Sequence, residues 1–280
     1  MDDFLLKISK SRLERQVVHE GDFYKDGLLY CGKCLKPRQV RKVLPSGEEY
    51  IWASMCVCEE EAEMRRREEE QENERRLRLE EIRNRSLMGF SYRDARFENC
   101  VRTVENRKNI EICEKYVDNF DKMVEKNQGL LMWGDVGTGK SHLAACVANR
   151  LMDNGVQVVM TSFTQFLEII SKDYSEEFAL IDRLMNARLL IIDDLGAERS
   201  TDYALEKVYN VIDKRCQRRL PMILTTNLNF KDMRDEEDVR YRRIYDRIFQ
   251  YCYPMQFKGT NFRREEANRR FAEMRELLEG

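Results

Sequence analysis

Eight residues constrain this chain more than any others. Gly134-Asp135-Val136-Gly137-Thr138-Gly139-Lys140-Ser141 fits the spacing G-x-x-x-x-G-K-[ST] at every fixed position. An apolar run, GLLMW at 129–133, precedes them, and Leu143, Val147 and Leu151 mark a helix face after them. A strand that turns through glycines into a helix is the setting a phosphate-binding loop needs. The glycines let backbone N–H groups point inward around phosphate oxygens, and the helix N-terminus adds its positive end. Lys140 would reach the β- and γ-phosphates, Ser141 would bind Mg²⁺, and His142 completes the same ATP-binding stretch.

A second acidic signal follows at 189–194, where LLIIDD ends a buried apolar run in two carboxylates. Acids there are costly to desolvate unless something uses them. Asp193 holding Mg²⁺ through water is one such use, with Asp194 orienting the attacking water; capping the next helix is the other. Five short apolar strands fit the last two thirds of the chain, at 129–133, 156–161, 189–195, 222–226 and 254–257. Helix-period segments lie between them, with Phe163, Phe166, Leu167 and Ile170 on one face and Ala204, Val208, Ile212 and Cys216 on another. This alternation predicts an α/β domain with a five-stranded parallel sheet flanked by helices.

Composition narrows the remaining classes. With 280 residues and a formal net charge of −2, any nucleic-acid surface has to be local. No run of about 18 apolar residues exists to span a membrane, and MDDFLLKISK has acids where a signal peptide needs bases. A cytoplasmic protein is expected. In that compartment clustered cysteines favour metal over disulfides. Cys31-x-x-Cys34 and Cys56-x-Cys58 supply four soft ligands for tetrahedral Zn²⁺ from two turns, with unligated thiols or disulfides as the alternatives. Between the pairs, RQVRKVL and EYIWASM read as a hairpin around the turn Pro45-Ser46-Gly47. The other five cysteines, at 100, 113, 146, 216 and 252, stand among apolar neighbours as small core residues.

Residues 59–85 hold 11 acids and 8 bases, with Glu61–Arg65, Glu63–Arg67, Glu72–Arg76 and Glu74–Arg78 spaced as helical ion pairs. A solvated helical spacer or a partner-docking helix satisfies that pattern. The chain therefore divides into a zinc-knuckle module at 1–58, a charged helical linker at 59–87 and an ATPase domain at 88–280.

The motifs GDVGTGKSHLAA, LLIIDDLGAE, LTTNLN at 224–229 and RRIYDRIFQYCYPMQFKGTNFRR at 242–264, in this order, resemble the DnaC/IstB-like branch of AAA+ ATPases. Within the branch they are most similar to DnaC-type replicative helicase loaders. The resemblance covers roughly 88–265 and implies further roles. Asn227 is the sensor of the hydrolytic water. Arg247 is the arginine finger toward a neighbouring subunit, with Arg240, Arg242 and Arg243 as rivals for that role. Arg263 is a second sensing arginine at the nucleotide. Asp194 stands where many AAA+ proteins carry Glu, which implies slow hydrolysis. Only 23 residues follow Phe257, too few for a full helical lid.

As partners the resemblance implies a hexameric replicative DNA helicase, gripped by the N-terminal module, single-stranded DNA, and copies of the chain itself in an ATP-dependent homo-oligomer. The segment 163–183 stands where this branch touches DNA, and it offers Lys172, Tyr174 and Arg183. Five acids interleave there, so weak, ATP-assisted binding is expected, and Phe163 and Phe166 suit the core better than a stacking surface. An IstB-like transposition helper, and an adaptor using ATP only as an assembly ligand, are the competing functions.

Overall fold

A computed structural model describes residues 2–172, 176–197 and 201–279. The chain forms two compact units, Met1–Leu77 and Arg78–Gly280. The first contains helix α1 (Asp2–Glu14), strands β1 (Phe23–Lys25), β2 (Leu28–Tyr30), β3 (Gln39–Val43) and β4 (Glu49–Ala53), and most of α2 (Val57–Arg85). Both strand pairs are antiparallel hairpins. The predicted PSG turn joins β3 to β4, with Gln39 opposite Ala53 and Val43 opposite Glu49. α1 packs on β4, where the Ser9 hydroxyl donates to the Ile51 carbonyl at 2.5 Å.

α2 is the predicted charged helix, begun two residues earlier than the composition shift. Glu63–Arg67 closes at 3.1 Å as its spacing foresaw, while Arg66 turns to Glu63 at 2.7 Å and to Glu70 at 3.6 Å. Such exposed pairs contribute little each. The helix holds its shape mainly because Glu, Arg and Leu side chains, none branched at Cβ, lose little freedom in it.

The second unit is built on β5 (Gly129–Gly134), β6 (Val158–Ser162), β7 (Leu189–Leu195), β8 (Met222–Thr226) and β9 (Cys252–Phe257). They pair in the order β6-β7-β8-β5-β9, all parallel. Helices cover both faces of the sheet, so the central stretches Leu130–Met132, Val158–Met160, Leu189–Ile192 and Met222–Leu224 are apolar at successive positions. Leu130, Met132, Leu189, Ile191 and Ile223 face a core shared with α3 (Arg107–Asp118), α4 (Phe120–Glu125) and α5 (Lys140–Asp153). The alternating residues Leu131, Leu190, Ile192 and Leu224 face the opposite core. That core is shared with α6 (Phe163–Lys172), α7 (Glu176–Asn186), α8 (Asp202–Gln217), α9 (Phe230–Arg234) and α10 (Val239–Tyr251). α11 (Phe262–Glu279) closes the chain and is exposed along most of its length.

Four of the scattered cysteines, Cys113, Cys146, Cys216 and Cys252, are buried as expected, and Cys100 is only partly so. Phe163 and Phe166 are 2% and 1% exposed, which makes them core residues. Arg183 spends its guanidinium on the carbonyls of Asn84 and Arg85. Tyr174 and the Lys172 side chain lie outside the described residues. Among the described residues, no helix is long and apolar enough to cross a membrane.

Candidate nucleotide-binding site

The phosphate loop runs from the end of β5 to the start of α5, where the sequence placed it. Gly134 has φ 131° and lies so close to β9 that an added Cβ would sit 2.0 Å from the Phe257 carbonyl oxygen. Gly139, at φ 91°, is the N-cap of α5. Both positions demand the absence of a side chain. The Thr138 hydroxyl donates to the Asp135 carbonyl at 2.7 Å and ties the loop across itself.

Lys140 is 5% exposed. Its ammonium donates to the Gly134 and Asp135 carbonyls at 2.8 and 2.7 Å and to Asn227 Oδ1 at 2.8 Å. Burial lowers its pKa, against the opposing pull of Asp194, Asp135 and Asp193. Asn227 uses its other end, Nδ2, toward Asp194 Oδ1 at 3.5 Å. The predicted sensor thus bridges the lysine of the loop and the second acid of LLIIDD.

A bulge separates those acids. The β7–β8 register pairs Ile192 with Leu224 and then Leu195 with Thr226, so Asp193 and Asp194 together face Thr225. Asp194 takes up the extra residue with φ 53°. Thr225 fills the gap: its hydroxyl donates to Asp193 Oδ1 at 2.6 Å and accepts from the Asp194 N–H at 2.9 Å. Asp194 borders the cavity. Asp193 lies deeper, its pKa raised by burial against hydrogen bonds from Thr225 and Ser141. A hydroxyl beside a half-buried carboxylate is a donor set that suits Mg²⁺.

The cavity measures about 620 Å³, and Val136, Gly137, Thr138, Gly139, Lys140, Ser141, His142 and Arg263 all line it. Its other wall was not foreseen. Tyr92, Asn99, Val101, Asn106 and Ile110 supply it from the irregular stretch before and within α3. Asn261 Nδ2 donates to the Val136 carbonyl at 3.0 Å, and the Phe262 N–H to the Gly137 carbonyl at 2.9 Å, so α11 starts on the loop itself. Arg247 is elsewhere. It pairs with Asp213 of α8 at 3.1 Å and does not border the cavity. Its rival Arg240 is held by Asp238 and Asp202.

In the N-terminal unit the four predicted cysteines come together, with their sulfurs within 4.8 Å of one another. Leu35, at φ 57°, shapes the knuckle after Cys34, and Cys56 and Cys58 sit at the start of α2. The backbone N–H of Lys36 helps hold the Cys34 thiol down to about 6, while burial pushes Cys56 up to about 12. Four sulfurs this close, two of them buried, cannot all ionise unless a cation joins them, and a tetrahedral ion fits the set.

A model of the IstB-like ATP binding protein family matches residues 53–270. The replicative helicase loader DnaC of Escherichia coli (strain K12) is 26% identical over 162 residues, which cover 56% of this chain and 65% of that protein. The chain therefore spans just under two thirds of that relative's length. DnaC of Buchnera aphidicola subsp. Baizongia pistaciae (strain Bp) is 24% identical over 209 residues, covering 72% of this chain and 81% of that one. The crystal structure of DnaI superposes with a TM-score of 0.55 at 24% identity, over 63% of this chain and 95% of that one, which shows the AAA+ P-loop fold. The family match runs from the end of β4 into α11 and takes in every residue of the cavity just described, so the chain belongs to the IstB-like ATP binding protein family.

Proposed function

We propose that the chain is an ATP-hydrolysing loader that delivers a hexameric replicative DNA helicase to single-stranded DNA. The observation that carries the enzymatic part is Asn227, which bridges Lys140 and Asp194 where the ends of β5, β7 and β8 meet. An ATP-only adaptor has no need for a second acid and a polar bridge at that point. The names of the DnaC relatives support the loading role.

Residues 134–142 cradle the phosphates of ATP. Ser141 and Asp193 hold Mg²⁺, which neutralises charge on the phosphate oxygens. Lys140 meets the same charge from the loop, Asp194 orients the attacking water, and Asn227 positions it. Arg263 answers the terminal phosphate from the rim. Arg247 acts as the finger on the ATP of a neighbouring copy in a homo-oligomer, since it does not reach its own cavity. Hydrolysis is slow because Asp194 is one methylene shorter than Glu.

In this reading the four cysteines hold Zn²⁺ in a module spanning 1–58 that grips the helicase. Residues 59–87 form the linker and 88–280 the ATPase, and the protein works in the cytoplasm. The likeness to IstB keeps a transposition helper as the second reading, since the matching family is described as IstB-like and ATP-binding. Affinity capture with the host's hexameric replicative helicase, followed by helicase deposition on DNA coated with single-strand-binding protein, separates the two. Loading that needs ATP and this chain is the expected result. No helicase capture, together with stimulation of a transposase on target DNA, would replace the first reading with the second.

A further inference from the structure

Three soft ligands meet in the wall of the nucleotide cavity, in the other unit from the four-cysteine cluster. His142 and Cys146 stand four residues apart on α5, so both rise from one helix face. Cys100 arrives from the stretch that follows the short 3₁₀ turn at Phe97–Asn99. Its sulfur lies 3.7 Å from that of Cys146, and an imidazole nitrogen of His142 and both sulfurs all lie within 4.8 Å of one another. A tetrahedral zinc ion with Zn–S arms of about 2.3 Å holds two sulfurs about 3.8 Å apart. The sulfur pair is therefore already at the edge length such an ion needs.

We infer that Cys100, His142 and Cys146 form a second zinc-type site, with three protein ligands and one open position on the cavity side. The orientation follows from burial. Cys100 and His142 border the cavity, while Cys146 lies behind them and is fully buried. Two thiolates and an imidazole select Zn²⁺ over Mg²⁺, which prefers oxygen ligands. The site therefore does not compete with Ser141 and Asp193 for their ion, although His142 follows Ser141 directly. An ion here ties the segment carrying Cys100 to the first turns of α5. Apart from short 3₁₀ turns, that segment reaches the cavity without strand or α-helix to brace it. The ligand class is a single borderline-soft divalent cation, and the open position takes water or a small anion.

Cobalt substitution of the full chain tests this. After removal of bound metal under reducing conditions, the chain is reconstituted with Co²⁺, and metal and protein are counted. The parent should hold two ions per chain. Cys31→Ser should lose the four-thiolate ion and keep one, with the visible absorption of a tetrahedral site of two thiolates and one imidazole. Cys100→Ser and His142→Gln, both at partly exposed positions, should each lose that ion instead and keep the four-thiolate spectrum. Thermal unfolding followed by circular dichroism confirms that each variant is folded. The inference fails if Cys31→Ser holds no ion. It fails equally if Cys100→Ser and His142→Gln bind as many ions as the parent, or if peptide mapping finds a Cys100–Cys146 disulfide in protein isolated under reducing conditions.

Discussion

Lys140 and Thr225 represent two kinds of dependence on a single residue. Lys140→Ala removes the charge that faces the phosphates, and it leaves Asn227 Oδ1 without the ammonium it now accepts from. Turnover should fall by about 10²-fold or more, the order seen when one preorganised donor to developing charge is lost. Calorimetric titration with ATP should show binding weakened in parallel; unchanged affinity and unchanged turnover would end the phosphate-loop reading. Thr225→Val keeps the shape and deletes the hydroxyl that ties both acids of the bulge. Leaving these groups unpaired costs on the order of 1–3 kcal/mol. The variant should melt at lower temperature and need more Mg²⁺ for half-maximal turnover. An unchanged Mg²⁺ requirement would assign Thr225 to folding alone. The loop was legible because glycines, Lys and Ser at fixed spacing have few other uses, and the acids because carboxylates rarely end a buried strand. Thr225 was visible only as part of LTTNLN, since nothing in a sequence marks the point where two strands slip register.

Elements differ in how plainly they announce themselves. β7 and β8 begin and end where the sequence placed them, at 189–195 and 222–226. β6 starts two residues later than expected, because Val156 and Gln157 are still leaving the turn at Gly155. β9 starts two residues earlier, since α10 runs into Cys252 with no turn residue to mark the change. The cavity wall from Tyr92 to Asn106 was not legible, because it holds two short 3₁₀ turns and no sustained period. In the N-terminal unit, Arg38 is 1% exposed and joins Asp22 to Glu59. It thereby fixes the knuckle, where the Gly32 N–H donates to Asp22, to the first turn of α2. Arg38→Met should destabilise this unit by about 3–5 kcal/mol, because two acids lose their shared cation. Burial raises the pKa of Asp22, but the N–H groups of His19 and Gly32 and the Arg38 guanidinium outweigh it and leave the value below 3.8. Its contribution is therefore complete above the ordinary carboxylate value and is lost as pH falls through the depressed one. Acid titration followed by Trp52 fluorescence, in a Trp133→Phe background, should show Asp22→Asn unfolding at lower denaturant than the parent at neutral pH. The gap should close below the depressed value. A gap that persists there would mean that packing, and not charge, carries the effect.

At the scale of the whole molecule, the position of Arg247 makes assembly testable. Arg247→Ala should bind ATP almost as well as the parent, because the loop is untouched, while turnover drops sharply. Mixing it with Lys140→Ala should restore part of the activity, since some interfaces then pair an intact pocket with an intact arginine. Co-assembled mixtures without rescue would leave Arg247 to its partner Asp213 in the same chain. The helix α11 bears on the same scale. It begins on the carbonyls of Val136 and Gly137 and places Phe262, Arg263 and Glu266 at the cavity before leaving the body of the unit. Its 18 residues extend about 27 Å at about 1.5 Å each. As a rigid rod pivoted at its root, it moves its tip about 5 Å for every 10° or so of tilt, whereas the loop at the pivot hardly shifts. A needle of this kind makes residue 279 a far more sensitive place for a distance label than any position in the pocket.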